Sequence, residues 1–434
     1  MLLGSSALKA NANPPITSPN EKLQIGVIGC NGMGWSNTNS ILKMEDIDLV
    51  GICDVDESVV NRRLESYANL RKNIPKTYVD YRELLNNPSI DAIIIGTPDH
   101  WHCKIMVDAV NAGKHVYVEK PVANTIEEAN LMVKAAEKTG KVVQAGQWQR
   151  SGPHYKKAIE IVRSGVLGNI RLVKVWEYQG WMKPVPVLPD SVAPEGVDYD
   201  FWLGPAPKRP FNPNRYHFNF RWFWDYAGGL MTDWGVHEID IALYAMNAKA
   251  PVSVMASGGK LAYPNDASET PDTLQTVFQY DGFNMLWEHA TGIDTGPYGR
   301  REGIAFIGNN GTLIVNRDGY EVIVEREAQG YSSWGANKME TIESYSNSGG
   351  PNHLDLHTQN FVDAIRKNDP SILNTHIESG SVAAINAQMG NIAYKSGDKI
   401  FWNADQNQFE NNQKANELIN ANYHNNWKKP IVRN

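Results

Sequence analysis

Cysteine is scarce: three occur in 434 residues, Cys30, Cys53 and Cys103, all in the first third of the chain and none in C-x-x-C spacing. An odd, scattered set supplies neither a disulfide framework nor a zinc knuckle, and no metal site is expected. Long apolar runs are missing too; none approaches the ~20 residues that a bilayer-spanning helix needs, so no transmembrane segment is expected. Runs of lysine and arginine are absent and the net charge is -7, which argues against nucleic acid or an anionic membrane surface as a partner. No internal repeat is visible. What remains is a chain long enough for two domains with substantial cores.

The first third alternates buried-strand patterns with helical ones: strands near Leu23, Ile47, Ala92, His115 and Val142, with a short one marked by Tyr78, and helices near Gly34, Glu57, His102 and Thr125. The first strand runs straight into Gly29-Cys30-Asn31-Gly32-Met33-Gly34 and a helix, a turn that cradles phosphate. The second strand delivers Asp54 twenty residues after Gly34, where an acid that bonds a ribose 2′-hydroxyl belongs. That acid repels a 2′-phosphate, so NAD is favoured over NADP. The second glycine of the G-x-G-x-x-G pattern is replaced by Asn31, a residue that tolerates left-handed backbone, with Gly32 behind it. Gly29, Asn31, Gly32, Met33, Gly34 and Asp54 are thus the first cofactor candidates.

Beyond residue 147 the texture changes. A helix over 155–163 precedes alternating segments at 170–178, 274–280, 284–290, 304–307 and 312–315, with turns at Asp281-Gly282 and Asn310-Gly311. Helices are expected over 229–246, 353–367 and 378–396. The architecture predicted is α/β: an N-terminal Rossmann doubly wound parallel sheet, then an α+β domain with a large, mostly antiparallel sheet. The divisions are a leader remnant at 1–12, a linker at 13–22, a cofactor domain at 23–147, a substrate and oligomerisation domain at 148–402 and a wrapping, asparagine-rich tail at 403–434. An exposed face on the antiparallel sheet would favour a homodimer or homotetramer.

Oxidising a carbinol by hydride transfer needs a group that takes the hydroxyl proton, a task for histidine or for a lysine of lowered pKa. Lys120, in Glu119-Lys120-Pro121, falls at the carboxyl end of a parallel strand, where open α/β sheets bind ligands. Asp233 and His237 are four apart on the 229–246 helix and so share a face. The alternatives are a lysine that merely reaches solvent and an ordinary helix pair. His100, His102 and Cys103 lack the further ligands of a metal cluster; they read as polar residues opening a helix, with His100 facing the nicotinamide. Sugar faces pack on aromatics, and the chain is aromatic-rich from Tyr216 to Tyr226. Trp148, Arg150, Tyr178 and Trp222 are the substrate-contact candidates.

Four motifs occur in one order: Gly29-Cys30-Asn31-Gly32-Met33-Gly34, Gly96-Thr97-Pro98-Asp99-His100-Trp101-His102, Glu119-Lys120-Pro121 and Asp233-Trp234-Gly235-Val236-His237. Together they resemble the Gfo/Idh/MocA family, which groups glucose-fructose oxidoreductase, inositol dehydrogenase and relatives, over residues 23–402. The resemblance implies His237 as acid/base, Lys120 in proton relay or substrate binding, and Asp233 orienting substrate. It also places Thr97, Pro98, Glu119 and Gln147 around the cofactor. Two activities are expected from it: oxidation of a secondary hydroxyl on a sugar, glycoside or cyclitol, or glycoside hydrolysis by oxidation at C3, elimination, water addition and reduction with NAD recycled in place. A protein of this fold that only binds ligand is the third reading, and Lys120, Asp233 and His237 together argue against it.

The chain opens Met1-Leu2-Leu3-Gly4-Ser5-Ser6-Ala7-Leu8 and continues to Ala10-Asn11-Ala12, which reads as the end of an export signal with an A-x-A cleavage site. A periplasmic or exported protein beginning near Asn13 is expected, with a disordered tail on a cytoplasmic protein as the alternative. An exported enzyme meets little free NAD and would carry its cofactor out bound.

Overall fold

The computed structural model describes residues 22–71, 73–331 and 334–433. The expected leader and all but one residue of the linker lie outside them. Apolar runs such as Ile93-Ile94-Ile95 build strands buried on both faces, as parallel sheets require. The first domain runs β1 (Leu23–Ile28), α1 (Gly32–Ile41), β2 (Ile47–Cys53), α2 (Glu57–Ala68), β3 (Lys76–Tyr78), α3 (Tyr81–Leu85), β4 (Ala92–Ile95), α4 (Asp99–Asn111), β5 (His115–Val118), α5 (Ile126–Thr139) and β6 (Val143–Ala145). These strands form one parallel sheet in the order β3-β2-β1-β4-β5-β6. Strand order reverses between β1 and β4, so their carboxyl ends open the crevice where such folds bind ligands.

Three glycines form the floor of that crevice. A Cβ on Gly34 would lie 1.9 Å from the Gly29 carbonyl oxygen, one on Gly96 2.4 Å from the Gly34 Cα, and one on Gly29 2.6 Å from the Thr97 nitrogen. Backbone presses on backbone here, which no side chain permits. Gly34 therefore serves close helix-to-strand packing rather than the cofactor surface itself.

The second domain contributes α6 (Pro153–Arg163), β7 (Leu172–Gln179), α7 (Tyr199–Leu203), α8 (Leu230–Asp233), α9 (Gly235–Met246), β8 (Ser253–Gly259), β9 (Thr273–Gln279), β10 (Asn284–Thr291), β11 (Glu302–Ile307), β12 (Gly311–Asn316), β13 (Gly319–Val324), the hairpin β14 (Arg326–Ala328) and β15 (Trp334–Asn337), and β16 (Tyr345–Ser346). Then come α10 (His353–Lys367), α11 (Ile377–Ser396), β17 (Ile400–Asn403), β18 (Gln408–Phe409) and α12 (Gln413–Glu417). The large sheet has ten strands in the order β16-β13-β12-β11-β7-β10-β9-β8-β17-β18, antiparallel except where β7 and β10 run side by side. Helices α6, α9 and α11 cover one face, burying Tyr155, Ile239 and Met389 against Val175 and Trp287.

Two features depart from the sequence reading. The helix expected over 229–246 is broken at Trp234, where the His237 N–H bonds the Trp234 carbonyl at 2.9 Å and leaves the Asp233 carbonyl out of the ladder. Asp233 and His237 consequently do not share a continuous helix face. In addition, α10 inserts Phe361, Val362 and Ile365 into the core of the first domain beside Ile25 and Tyr117, so the parallel sheet is completed by chain from beyond residue 350. Of the tail, Trp427 packs on Tyr81, Trp101 and Phe201.

Gly34→Ala is expected to cost about 3 kcal/mol, the upper range for overpacking, because the opposing atoms are backbone. Urea unfolding of the NAD-free protein measures it.

Candidate active site

A cavity of about 430 Å³ occupies the crevice. Its first wall is the turn after β1. Asn31 is extended (φ -93°, ψ 163°), and Gly32, at φ 47°, takes the left-handed position, so asparagine stands there without conformational strain. The amino end of α1 then faces the cavity, an anion site by its free N–H groups and dipole. At the end of β2, Asp54 accepts N–H bonds from Cys30 (2.7 Å) and Asp56 (3.2 Å). Burial raises its pKa, with the Cys30 amide working the other way. Thr97 Oγ1, on the cavity wall after β4, is buried without a partner. A glycine cradle, a helix amino end, a strand-end carboxylate and an orphaned hydroxyl together fit a dinucleotide.

Deeper in the cavity lies Lys120. Its ammonium donates to Asp233 Oδ1 and to the Asp233 carbonyl, both at 2.8 Å. The second bond is available because the break at Trp234 frees that carbonyl. Arg221 Nε donates to the same Oδ1 at 3.2 Å. Burial pushes the Asp233 pKa up, but the Lys120 and Arg221 cations outweigh it and hold it at about 2. Glu119, raised by burial, accepts from Asn37 Nδ2 at 2.7 Å and from the Lys120 N–H at 3.1 Å. His102 sits between the loops after β4 and β5, its ring nitrogens 2.8 Å from the Thr97 carbonyl and 2.7 Å from the Pro121 carbonyl, and its single N–H donates to one of them. Pro98 lines the wall between them.

His237 sits behind this cavity rather than on its wall. Its buried Nδ1 has no partner among the described residues, and its ring stands edge-on to Trp148 (5.9 Å) and Trp234 (5.8 Å). The Arg317 guanidinium stacks on both indoles, at 4.4 and 4.2 Å. Burial, then the Lys120 and Arg317 cations, drive the His237 pKa well below its ordinary value, so the ring is neutral. Around Arg317 gathers a cluster of buried acidic groups that sequence reasoning missed. Glu177 and Glu238 are fully buried, each with one unpartnered oxygen. Burial pushes Glu238 up to about 8. Gln147, read as a cofactor residue, is buried with neither amide atom bonded among the described residues.

Four candidates are placed elsewhere. His100 spends Nε2 on the Trp202 carbonyl at 3.2 Å and packs between Trp202 and Tyr226, off the cavity. Arg150 forms a buried two-point pair with Asp240, 2.7 Å at each contact, which consumes the fork that would have gripped substrate. Tyr178 donates its hydroxyl to Glu288 within the sheet. Trp222 is buried in an apolar cluster with Phe223 and Leu230. The arginine beside it, Arg221, is the one that reaches the site. Asp99 was also missed as a site residue: it lines the cavity, pushed to about 8 by burial although Arg221 works the other way. Its place at the first position of α4, inside the Gly96–His102 motif, was the available signal.

Residues 23–147 match the family model described as "Oxidoreductase family, NAD-binding Rossmann fold", and residues 152–289 match the "Oxidoreductase family, C-terminal alpha/beta domain" of the same family. The chain belongs to the Gfo/Idh/MocA oxidoreductase family. Its first domain is a NAD-binding domain. Among curated relatives, glycosyl hydrolase family 109 protein 1 of Shewanella sp. MR-4 is 32% identical over 187 residues, 39% of this chain and 41% of its own. The alpha-N-acetylgalactosaminidase of Shewanella oneidensis is 30% identical over the same shares. The matched stretch thus spans about two fifths of those relatives' length. Levoglucosan dehydrogenase, solved with NADH and levoglucosan, shares the fold at a TM-score of 0.64 and 18% identity, covering 88% of this chain and 99% of its own.

Arg150→Ala is expected to destabilise the fold by about 3–5 kcal/mol, the cost of leaving Asp240 buried and unpaired. Chemical denaturation reads this, and bound NAD should be unchanged in the folded fraction.

Proposed function

We propose that this Gfo/Idh/MocA protein oxidises a secondary hydroxyl of a sugar, glycoside or cyclitol. The observation that carries the reading is the convergence of Lys120, Asp233 and Arg221 at the carboxyl end of β5, inside the dinucleotide cavity and next to a neutral histidine. When bound, NAD supplies a hydride acceptor. Gly29, Gly32 and Met33 with the α1 amino end would hold its pyrophosphate, Asp54 its adenosine ribose, and Thr97 and Glu119 its inner half. Asp233, ionised near pH 7, fixes the Lys120 ammonium, and that ammonium holds the substrate oxygen. His237, a neutral ring behind the Lys120 cation, is the group to which the hydroxyl proton passes.

A second reading is favoured by the named relatives: a glycosidase that oxidises C3, eliminates the aglycone, adds water and returns the hydride, with no net redox change. Export, read from the leader-like first residues, favours such a retained cofactor. Assembly as a homodimer or homotetramer through the large sheet is supported by exposed Leu172, Met255, Ile323 and Phe401 on its strands.

The test is a panel of glycosides with absorbance at the NADH band and free sugar assayed in parallel. Lasting NADH supports the dehydrogenase; released sugar without lasting NADH supports the hydrolase; neither product with any compound overturns both. Lys120→Ala and His237→Ala are each expected to cut turnover by about 10² to 10⁴ with the fold intact; unchanged rates in both would remove them from the chemistry. Asp54→Ala should narrow the preference for NAD over NADP in equilibrium binding, since the carboxylate that repels a 2′-phosphate is gone.

A further inference from the structure

Asn31 departs from the glycine pattern, and its side chain is engaged. Arg63 Nη2 donates to Asn31 Oδ1 at 3.3 Å, while Arg63 Nε donates to the Cys30 carbonyl at 2.9 Å. With Oδ1 so occupied, Asn31 Nδ2 is the free donor, and it lies 3.4 Å from His217 Nδ1. His217 belongs to the second domain. Its other nitrogen, Nε2, lies 2.9 Å from Asp56 Oδ2, back in the first domain beyond β2. The donor sense runs one way: Arg63 to Asn31, Asn31 to His217 Nδ1, His217 Nε2–H to Asp56. Tyr216 adds its hydroxyl to the same Asp56 oxygen at 3.0 Å.

Asn31, Tyr216 and His217 all line the dinucleotide cavity, so the chain of bonds crosses it from the phosphate turn to the ribose acid's neighbour. A second seam runs alongside. Val197 bridges Asp56, the Glu57 N–H bonds the Gly196 carbonyl at 3.0 Å, and the Asp198 N–H bonds the Val55 carbonyl at 2.9 Å. His217 itself has a left-handed backbone, φ 59°, a conformation that costs a non-glycine residue energy and persists where its contacts over-determine it. A glycine at position 31 would leave His217 Nδ1 without its donor and the second domain unfastened from the phosphate turn.

We propose that Asn31, His217 and Asp56 form a clasp over the cavity that makes NAD a resident cofactor, leaving only when the second-domain loop lifts. The inference rests on the reading of this cavity as the NAD site and deepens the recycled-cofactor alternative above. It inverts the usual expectation for the turn: restoring glycine at the second position should weaken cofactor retention rather than improve it.

The experiment loads the full chain with NAD, passes it through a desalting column and follows NAD remaining on the protein with time, without substrate. The wild type is expected to leave the column with close to one NAD per chain. Asn31→Gly and His217→Gly should each release NAD about 10- to 100-fold faster, the range for losing a charge-linked hydrogen bond. His217→Gly removes the ring while suiting the left-handed backbone, and thermal unfolding of both NAD-free variants checks that the fold survives. Wild-type protein that sheds NAD on the column, or folded variants that hold it as long as the wild type does, would overturn the clasp. Retention with lasting NADH on glycosides would leave the clasp standing and remove the redox-neutral reading, so the two failures are distinct.

Discussion

The buried pair between Lys120 and Asp233 is the contact on which the arrangement turns. It joins the strand-end loop of the parallel sheet to the broken helix of the second domain, with both side chains less than one-sixth exposed. Taking two charges out of water costs several kcal/mol per ion, and a lone ion pair seldom recovers it. Here the cost is offset by supplying more than one partner to each charge. Asp233 receives a second cation from Arg221, and Lys120 receives a carbonyl that an unbroken α-helix would have kept for its own ladder. The helix break at Trp234 is therefore what allows the pair to exist at this depth.

That break also separates two environments a few residues apart in sequence. Asp233 faces the dinucleotide cavity as a carboxylate held ionised by cations. His237 is buried against two indoles, where burial keeps the imidazole neutral. Both groups are driven to their deprotonated forms, by different causes: the Lys120 and Arg221 cations for the carboxylate, and chiefly burial for the imidazole. The unpartnered oxygens of Glu177 and Glu238 are costly in a folded protein. Stability has been given up locally, on the side of the second domain's sheet.

Much of the fold was legible because local pattern and global packing agree. Strands buried on both faces read as apolar runs, and β1, β2, β4 and β5 lie where those runs are. The phosphate turn, Asp54 and the strand-end Lys120 were legible for the same reason: each is tied by short chain distance to a regular element. Strands β8 and β13 went unread, since Ser253–Gly259 carries glycine and serine that hide its alternation. The helix over 229–246 was read as continuous because one helical pattern spans it; that the Asp233 carbonyl bonds Lys120, 113 residues away, rather than the His237 N–H leaves no mark in local sequence. Arg150 was misplaced because its type matches both a substrate clamp and a structural pair, and only Asp240 across the fold decides between them.

The sequence by itself determined the two-domain architecture, the NAD-binding first domain and the identity of the charged residues available for chemistry, because strand periodicity, turn glycines and strand-end position are local properties. The tertiary structure alone decided which charges meet. Arg221 rather than Trp222 reaches the site, His237 rather than His100 packs next to the Lys120 cation, and Asn31 finds its partner in His217, 186 residues away. Side-chain partnership over such separations follows from how the domains pack, and a partner's identity leaves no trace in the spacing of either residue's neighbours.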